Sequence, residues 1–249
     1  MDNQSIYCYS IVLGVYMKIL AMGAHPDDVE LSCFGTLARC VNRGDTVVVC
    51  SLTNGNLGHK YIDKEKLSLV RMVESVEASK VIGASFCTLD IADGSVDEHD
   101  EDQILKVTNL IRSIKPDVII THSEDEYHRD HIETSKLVFH SSMLASLPSF
   151  TSQYPSITHI PHILYMEGIE GAYFTPQIFV DVSETFELKM KGVGCHTSQL
   201  HTIDDEDYVD IFHTIEVIAS FRGLQCKSRV AEAFRSCDKR ARLNYRILP

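Results

Sequence analysis

The sequence predicts an α/β fold, Rossmann-like and doubly wound, with a mostly parallel sheet and an irregular C-terminal third. Short apolar runs typical of buried parallel strands alternate with longer amphipathic segments, and glycines stand where the helical patterns end. The strand–helix–strand–helix order requires right-handed crossovers that cover both faces of a sheet. The 249 residues, 44% of them hydrophobic, are enough for one such domain.

The first two strand–helix units are delimited by their end signals. Residues 18–24 form a continuous apolar run, and we expect a helix over residues 29–42 because a glycine follows it. Residues 46–52 form a second run of the kind found in parallel sheets, and a helix over residues 64–82 is again closed by glycine.

The next two units follow the same plan. Strands are expected over residues 86–90 and 117–122, with a helix over residues 101–114 between them and another starting near residue 130. The acidic cluster of residues 97–102 favours a helix N-terminus, where negative charge is stabilising, over a calcium loop.

The last third of the chain is less regular. Strands are expected over residues 163–166 and 177–182, followed by a helix from residue 184 and another across residues 207–221. No repeat, low-complexity segment or linker divides the chain. We therefore expect an N-terminal extension, residues 1–16, before a single domain over residues 17–249.

Charge and cysteine usage limit the classes of function. With 23 Lys+Arg against 35 Asp+Glu, the net charge is −12 and the basic residues are scattered, which argues against nucleic-acid binding. Eight cysteines without a CxxC pair favour free thiols in a reducing compartment, so we expect a cytoplasmic protein. The apolar segment 6–16 is too short to span a bilayer, so stable membrane insertion is not expected.

Two loops rich in histidine and aspartate follow the first and fourth predicted strands. In open α/β sheets, ligands bind beyond the carboxyl ends of the strands, where the strand order reverses. The first loop has the sequence AHPDDVE over residues 24–30, and the second has HSEDEYHRDH over residues 122–131. If the two strands are neighbours, these loops face each other.

A metal ion that activates water needs about three protein ligands and one open position. His25 and Asp28 lie three residues apart at the start of a helix, and His131 in the facing loop is the best third candidate, with His128 one turn away. Asp27 would then remain free to act as a base. The competing interpretation is that the first loop merely caps its helix.

The same residues resemble a known family. AHPDDVE is similar to the AHPDDxE signature of the LmbE-like, PIG-L-type N-acetylglucosaminyl deacetylases, and HRDH over residues 128–131 is similar to their HPDH motif. Weaker segments follow in the family's order, namely TNGNLG at 53–58, RMVE at 71–74, DG at 93–94, HTSQ at 196–199 and AEAF at 231–234.

The resemblance implies a role for each matching position. Six of these positions lie in the two loops. The resemblance implies that His25, Asp28 and His131 bind Zn²⁺ and that Asp27 is the general base. It also implies that His128, oriented by Asp130, is the acid or the oxyanion-stabilising group. A two-histidine, one-carboxylate set also accepts Fe²⁺.

Further positions lie outside those two motifs or depart from them. Arg71 and Asp93 fall where the family contacts the sugar. Without the resemblance, Arg71 would equally well form a surface ion pair with Glu74, and Asp93 would mark an ordinary turn. Asn56 stands where the family usually has Glu, and Arg129 where it usually has Pro.

Two remaining features leave alternatives open. His196 is either a helix C-terminal residue or a site residue. The spacing of the other histidines, His122 among them, does not indicate a metal-binding or catalytic role.

The function expected from this resemblance is removal of an N-acetyl group from an N-acetylglucosamine-containing small molecule, which yields acetate and a free amine. The expected partner is therefore a small amino sugar, and the resemblance also implies a homo-oligomer. Two alternatives stay open: a related amidase that acts on an amino-sugar or thiol conjugate, and a non-catalytic sugar- or metal-binding protein. An intact base and acid argue against the last of these.

Overall fold

The computed structural model describes residues 16–200 and 210–239 of the chain. The predicted N-terminal extension, apart from Tyr16, and the start of the last predicted helix lie outside these residues. Within them, seven strands form one sheet in the order β3-β2-β1-β4-β5-β7-β6. Strands β1 to β5 run parallel, while β7 pairs antiparallel with both β5 and β6.

The strands of the described residues, in chain order, are β1 Lys18–Gly23, β2 Thr46–Thr53, β3 Ser85–Ile91, β4 Val118–Thr121, β5 His162–Met166, β6 Ile178–Asp181 and β7 Ala231–Ser236. The helices are α1 Asp28–Arg43, α2 Lys64–Ile82, α3 Glu101–Ile114, α4 Arg129–Leu144, α5 Phe186–Val193, α6 Thr197–Leu200 and α7 Ile211–Cys226.

The doubly wound, mostly parallel architecture confirms the predicted fold class. The first seven elements and the start of the eighth lie within two residues of their predicted positions, because each is delimited by a clear local signal. Gly44 and Gly83, for example, adopt left-handed backbone conformations with φ of 100° and 77° directly after α1 and α2. Asp100 caps α3 by accepting a hydrogen bond from the Gln103 amide, which confirms the helix start predicted from the acidic cluster.

The C-terminal third contains the errors of the sequence prediction. Strand β7 and the short helix α6 were not predicted, and α7 ends at Cys226 rather than at residue 221. Residues 231–234 were treated only as a motif, although β7 inserts between β5 and β6. Its partners are far away in the sequence, so no local pattern marks this pairing.

Two apolar cores cover the two faces of the sheet. One packs α1, α5 and α7 against one face and includes Phe34 and Phe234; the other packs α3 and α4 against the opposite face and includes Leu52 and Leu137. Because both faces are covered, the ends of the strands are the places left for a site.

A buried ion pair joins β7 to α5, and its carboxylate also binds the backbone of α1. Lys189 Nζ lies 2.7 Å from Glu232 Oε1, and the same carboxylate accepts hydrogen bonds from the Gly35 and Thr36 amides at 3.0 and 2.7 Å. Glu232 belongs to the AEAF segment, so the structure gives that motif a role in holding α1, the helix that begins at the candidate site.

Two further observations concern the described residues in general. The seven cysteines in the described ranges are free thiols. No helix among the described residues combines the length and apolar character that a bilayer span requires.

Candidate metal centre and active site

The two histidine- and aspartate-rich loops face each other at the carboxyl end of the sheet. β1 and β4 are hydrogen-bonded neighbours, with Met22 paired to Thr121 near the end of each strand. The strand order reverses between them, so the switch point predicted for this fold lies between these two loops.

Three donor groups converge at this point with nearly equal spacing. His25 Nδ1 lies 3.2 Å from His131 Nε2 and 3.4 Å from Asp28 Oδ2, while His131 Nε2 lies 3.3 Å from Asp28 Oδ1. Ligands bound about 2.0–2.1 Å from a tetrahedral metal ion lie about 3.3 Å from one another. These separations are compatible with a dication between the three side chains, with Asp28 facing the two histidines through different carboxylate oxygens. His128 and His122 offer further donor atoms, since the donor atoms of His25, His128 and His131, and those of Asp28, His122 and His131, lie within 4.8 Å of one another.

The other ring nitrogen of each histidine faces a carboxylate. His25 Nε2 lies 3.2 Å from Asp93 Oδ1 and 3.5 Å from Asp130 Oδ2, and His131 Nδ1 lies 3.2 Å from Glu126 Oε2. Carboxylates in this position commonly fix the tautomer of a metal-binding histidine and increase its basicity. The surroundings of both rings thus leave the inward nitrogens free to coordinate a metal ion.

The electrostatics of the cluster also favour a cation. Burial disfavours protonated His25, but the neighbouring carboxylates, Asp28 foremost, raise its pKa to about 12. His131 follows the same pattern: burial lowers its pKa, but Asp28 and Glu126 raise it to about 9. Burial would raise the pKa of Asp28, yet three imidazoles hold that pKa well below its usual range. Positive charge is therefore stabilised where the donors meet.

The first loop does not act as a helix cap. Asp27 occupies the N-cap position of α1, but its side chain accepts no capping hydrogen bond, and its φ of 127° is unusual for a residue other than glycine. Asp28 Oδ2 instead accepts a hydrogen bond from the His25 amide at 2.6 Å. Backbone strain of this kind costs about 1–3 kcal/mol and is concentrated at functional sites. The capping interpretation is therefore wrong for Asp27.

Arg71 holds the carboxylate of Asp27. Its Nη2 lies 3.0 Å from Asp27 Oδ2 and also donates to the Pro26 carbonyl, while Nη1 donates to the Gly55 carbonyl at 3.3 Å. Gly55 has a φ of 65°, and a Cβ atom there would lie 2.6 Å from Arg71 Nη1. Burial raises the pKa of Asp27, and the Arg71 charge opposes that rise.

His128 presents one ring nitrogen to the cluster. It caps α4, and its Nδ1 accepts a hydrogen bond from the Asp130 amide at 3.2 Å, so a neutral ring carries its proton on Nε2. Its ring centroid lies 4.8 Å from those of His25 and His131. Burial and these two rings lower the pKa of His128. His128 is therefore neutral, and its Nε2–H is a hydrogen-bond donor beside the His25 and His131 rings.

Similarity to known proteins agrees with this geometry. The PIG-L family model, described as GlcNAc-PI de-N-acetylase, matches residues 20–142. The chain is 31% identical over 188 residues to the uncharacterized deacetylase YaiS of Escherichia coli K12, covering 72% of this chain and 90% of that protein. The chain belongs to the PIG-L family.

Two further similarities have lower sequence identity. The diacetylchitobiose deacetylase of Thermococcus kodakarensis is 26% identical over 227 residues, covering 88% of this chain and 82% of that protein. Among solved structures, the 4-carboxy-2-hydroxymuconate hydratase GalB of Pseudomonas putida KT2440 has a TM-score of 0.79 at 21% identity, covering 92% of this chain and 99% of that one. A hydratase thus shares the fold, so the site and not the fold must decide the reaction.

In this member of the PIG-L family, the structure brings all eight predicted site residues to one end of the sheet, but two carboxylates face other partners than expected. The Asp130 carboxylate accepts from the Gly94 amide at 2.7 Å and faces His25, so only its backbone amide orients His128. Asp93 contacts His25 and accepts from the Leu57 amide at 3.3 Å. Both carboxylates thus support His25.

Arg71 is not a surface residue. It is 2% exposed, so the proposed surface pair with Glu74 does not exist. Glu74 is also buried and accepts hydrogen bonds from the Thr197 hydroxyl, the Ser198 amide and the Ser198 hydroxyl at 2.7–2.8 Å. The RMVE and HTSQ segments of the sequence are therefore coupled through Glu74.

The two departures from the family pattern have different surroundings. Asn56 Oδ1 accepts a hydrogen bond from the Asp93 amide at 3.2 Å, so it supports the loop that carries Asp93. Arg129 is exposed at the first position of α4, where proline fits a helix well but is not required. Both substitutions are compatible with the cluster formed by His25, Asp28 and His131.

Sequence reasoning missed His122. Its Nε2 lies 3.0 Å from Asp28 Oδ2 and accepts from the Ala24 amide at 3.0 Å, and its ring stacks on His131 with centroids 3.9 Å apart. Burial and the His131 charge lower the pKa of His122 to about 4. The only available signal was its place directly after β4, which is where site residues occur in this fold class.

Proposed function

We propose that this protein is a metal-dependent hydrolase that removes the N-acetyl group from an N-acetylglucosamine-containing small molecule and releases acetate and a free amine. The observation that carries the proposal is the donor cluster of His25, Asp28 and His131, spaced at 3.2–3.4 Å, with the Asp27 carboxylate beside it. Membership of the PIG-L family supports the amide substrate, since its curated relatives include deacetylases.

His25, Asp28 and His131 are the proposed ligands of the dication. Nitrogen and oxygen donors fit Zn²⁺, and the same set fits Fe²⁺. When bound, the dication would polarise the substrate carbonyl and lower the pKa of a water molecule. His122 and the carboxylates behind the two histidines would fix the orientation of the ligands.

Asp27 is the proposed general base. Hydrolysis requires a proton to leave the attacking water, and a carboxylate beside the donor cluster can accept it. Arg71 keeps this carboxylate in place and favours its ionised form, against the effect of burial. The proton taken up by Asp27 is then available for the amine nitrogen when the carbon–nitrogen bond breaks.

His128 is the proposed oxyanion-stabilising group. The hydrogen bond from the Asp130 amide to Nδ1 leaves Nε2–H as the donor directed at developing negative charge. Of the two roles that the family resemblance implied, acid or oxyanion stabiliser, the lowered pKa favours the second. A neutral imidazole stabilises an oxyanion as a hydrogen-bond donor but is a poor acid.

The experiment measures acetate release from N-acetylglucosamine and N,N′-diacetylchitobiose before and after chelation, with Zn²⁺ or Fe²⁺ restored. Asp27→Asn should retain the metal and lose about 10²–10⁴-fold in kcat. Asp102→Asn, an exposed carboxamide substitution on α3, is the matched control and should retain full activity. Metal-independent release, or full activity of Asp27→Asn, would contradict the proposal. No release from either compound would favour a binding protein.

Two further proposals concern the setting of this activity. We expect a homo-oligomer, which light scattering of the purified protein would test. We also expect a cytoplasmic location, on the basis of the cysteine pattern alone. Fractionation of cells that express the full chain would test it.

A further inference from the structure

An exposed tyrosine lies beside the donor cluster, and none of the roles proposed above uses it. Tyr127 directly precedes His128 in the second loop, and 62% of it is exposed. Its ring centroid lies 6.0 Å from that of His128 and 6.2 Å from that of His131, with interplanar angles of 84° and 65°. The Tyr127 ring is thus in contact range of two histidines of the site while most of its surface faces solvent.

The position of Tyr127, and not its exposure, distinguishes it from other tyrosines. Exposed aromatic side chains occur singly on most protein surfaces and need no functional explanation. Of the exposed tyrosines in the described part of the chain, only Tyr127 has a ring contact with a residue of the candidate site. The ring of Tyr61, for comparison, lies against that of His59.

Tyr127 lies at the edge of the cluster that a substrate can reach. His131 stacks on His122 with ring centroids 3.9 Å apart, and the His122 side chain is only 3% exposed, so that face of His131 is closed to solvent. The side chains of His25 and His131 nevertheless retain 12% exposure. Because Tyr127 is mostly exposed and lies beside His131, its ring borders the accessible side.

The chemistry of the Tyr127 ring suits one part of the proposed substrate. One face of a pyranose ring consists mainly of C–H groups, and a tyrosine ring offers a rigid apolar surface at a low cost in conformational entropy. Aromatic and apolar side chains predominate in the lining of small-molecule sites. Burial and the negative charges of Glu126 and Glu170 raise the pKa of Tyr127, so its phenol stays uncharged at neutral pH.

We propose that Tyr127 packs against the apolar face of the pyranose ring that carries the scissile amide, and that this contact selects cyclic amino sugars over open-chain N-acetyl amines. The inference rests on the proposed hydrolase function and names the part of the substrate that the second loop recognises. The amide nitrogen is bonded directly to the sugar ring, so a carbonyl at the donor cluster keeps that ring close to the cluster. Tyr127 is the neighbouring aromatic surface.

The test compares hydrolysis of N-acetylglucosamine with that of its reduced alditol, which keeps the amide and the carbon chain but has no ring. We expect the wild-type protein to favour the cyclic compound about tenfold in kcat/KM, the upper range for one aromatic contact. Tyr127→Ala should abolish this preference through a higher KM with kcat nearly unchanged, because the contact is the same before and during the reaction. Tyr127→Phe keeps the ring and should keep the preference.

Tyr154→Ala is the matched control. Tyr154 is also exposed, but its carbonyl accepts a hydrogen bond from Arg112 near the C-terminal end of α3, at the opposite end of the sheet. This variant should leave the preference unchanged. An equal loss in Tyr127→Phe and Tyr127→Ala would assign the effect to the hydroxyl group and overturn the packing contact. An equal loss for both compounds in Tyr127→Ala would indicate a general structural role and overturn it as well.

Failure of this inference is distinguishable from failure of the proposed function. Equal cleavage of the cyclic and open-chain compounds by the wild-type protein would overturn the Tyr127 contact and leave the hydrolase proposal intact. If N-acetylglucosamine is not cleaved, acetate release from N,N′-diacetylchitobiose decides the hydrolase proposal, and calorimetric binding of N-acetylglucosamine to the metal-free protein decides the contact. There, we expect Tyr127→Ala to bind about tenfold more weakly than wild type and Tyr127→Phe. Binding that is equal in all three proteins, or absent from the wild type, overturns the inference.

Discussion

The Arg71 guanidinium lies 3.0 Å from the Asp27 carboxylate, and only 3% of the arginine side chain is exposed. The same guanidinium donates to the carbonyls of Pro26 and Gly55, so it connects two loops of the site through one planar group. Arg71 had been expected to contact the sugar, but the structure gives both of its Nη atoms protein partners. It is therefore a positioning residue for Asp27.

Arg71→Met should shift the acid limb of the pH profile of kcat/KM to higher pH. The guanidinium lowers the pKa of Asp27, so its removal lets burial raise that pKa further. Arg71→Lys keeps a charge but loses the planar fork, so it should rescue the pH profile only in part. Arg39→Met, which removes an arginine bonded to the Asp181 carbonyl, is the control. An unchanged profile in Arg71→Met would disprove the positioning role.

Metal binding to the metal-free protein at pH 7 should release about two protons. His25 and His131 have pKa values of about 12 and 9, so both rings carry a proton until the metal replaces it. Calorimetry in buffers of different ionisation enthalpy counts these protons. Affinity should rise steeply with pH up to about 9, where His131 loses its proton, and less steeply from there toward 12, where His25 loses its own. Binding without proton release would mean that these rings do not coordinate the metal.

The same pKa values predict the pH dependence of the metal-free fold. Both lie above the ordinary value of 6.5, so the protonated rings contribute stability that is fully present below pH 6.5. That stability is lost as the pH rises through about 9 and then toward 12. Urea denaturation of chelated protein between pH 6 and 10 would measure the decline, and a flat profile would contradict the assigned ion pairs.

Asp93→Asn separates two roles for this carboxylate. Because Asp93 contacts His25 Nε2, we expect the affinity for the metal to fall about 10–100-fold. With saturating metal, KM for the amino sugar should change little. Asp90→Asn, at the end of β3 just before this loop and bonded to Asn54, is the matched control. An unchanged metal affinity with a raised KM would restore the sugar contact implied by the family resemblance.

Lys189→Met should destabilise the fold by about 3–5 kcal/mol, because it leaves the buried Glu232 charge without its partner. Lys80→Met breaks an ion pair of the same 2.7 Å length with Glu77, but that lysine is 64% exposed, so its loss should cost less than about 1 kcal/mol. Urea denaturation of both variants gives the comparison. Equal costs would show that the buried pair between α5 and β7 does not stabilise the fold as described.

The sequence alone was sufficient to predict the parallel half of the fold and to group the residues of the donor cluster. Strands β1 and β4 carry continuous apolar runs with polar loops at their ends, and the fold class brings those ends together. That is why His25, Asp28 and His131 could be grouped before their distances were known.

What the sequence did not reveal depends on contacts between distant segments. His122 follows the buried strand β4, and only the structure shows that it lies against Asp28 and His131. Likewise, no spacing rule indicates that Asp130 faces His25 rather than His128. Side-chain direction at a strand or helix end depends on the packing around it, which a motif does not encode.

The central claim is that one dication held by His25, Asp28 and His131 supports amide hydrolysis. Its most direct test is a titration of chelated protein with Zn²⁺ or Fe²⁺, following acetate release from N,N′-diacetylchitobiose together with bound metal by elemental analysis. We predict that activity is absent without metal, rises linearly and saturates at one equivalent, and that His25→Ala neither binds metal nor gains activity. Full activity in the chelated protein, or a metal-replete His25→Ala, would contradict the claim.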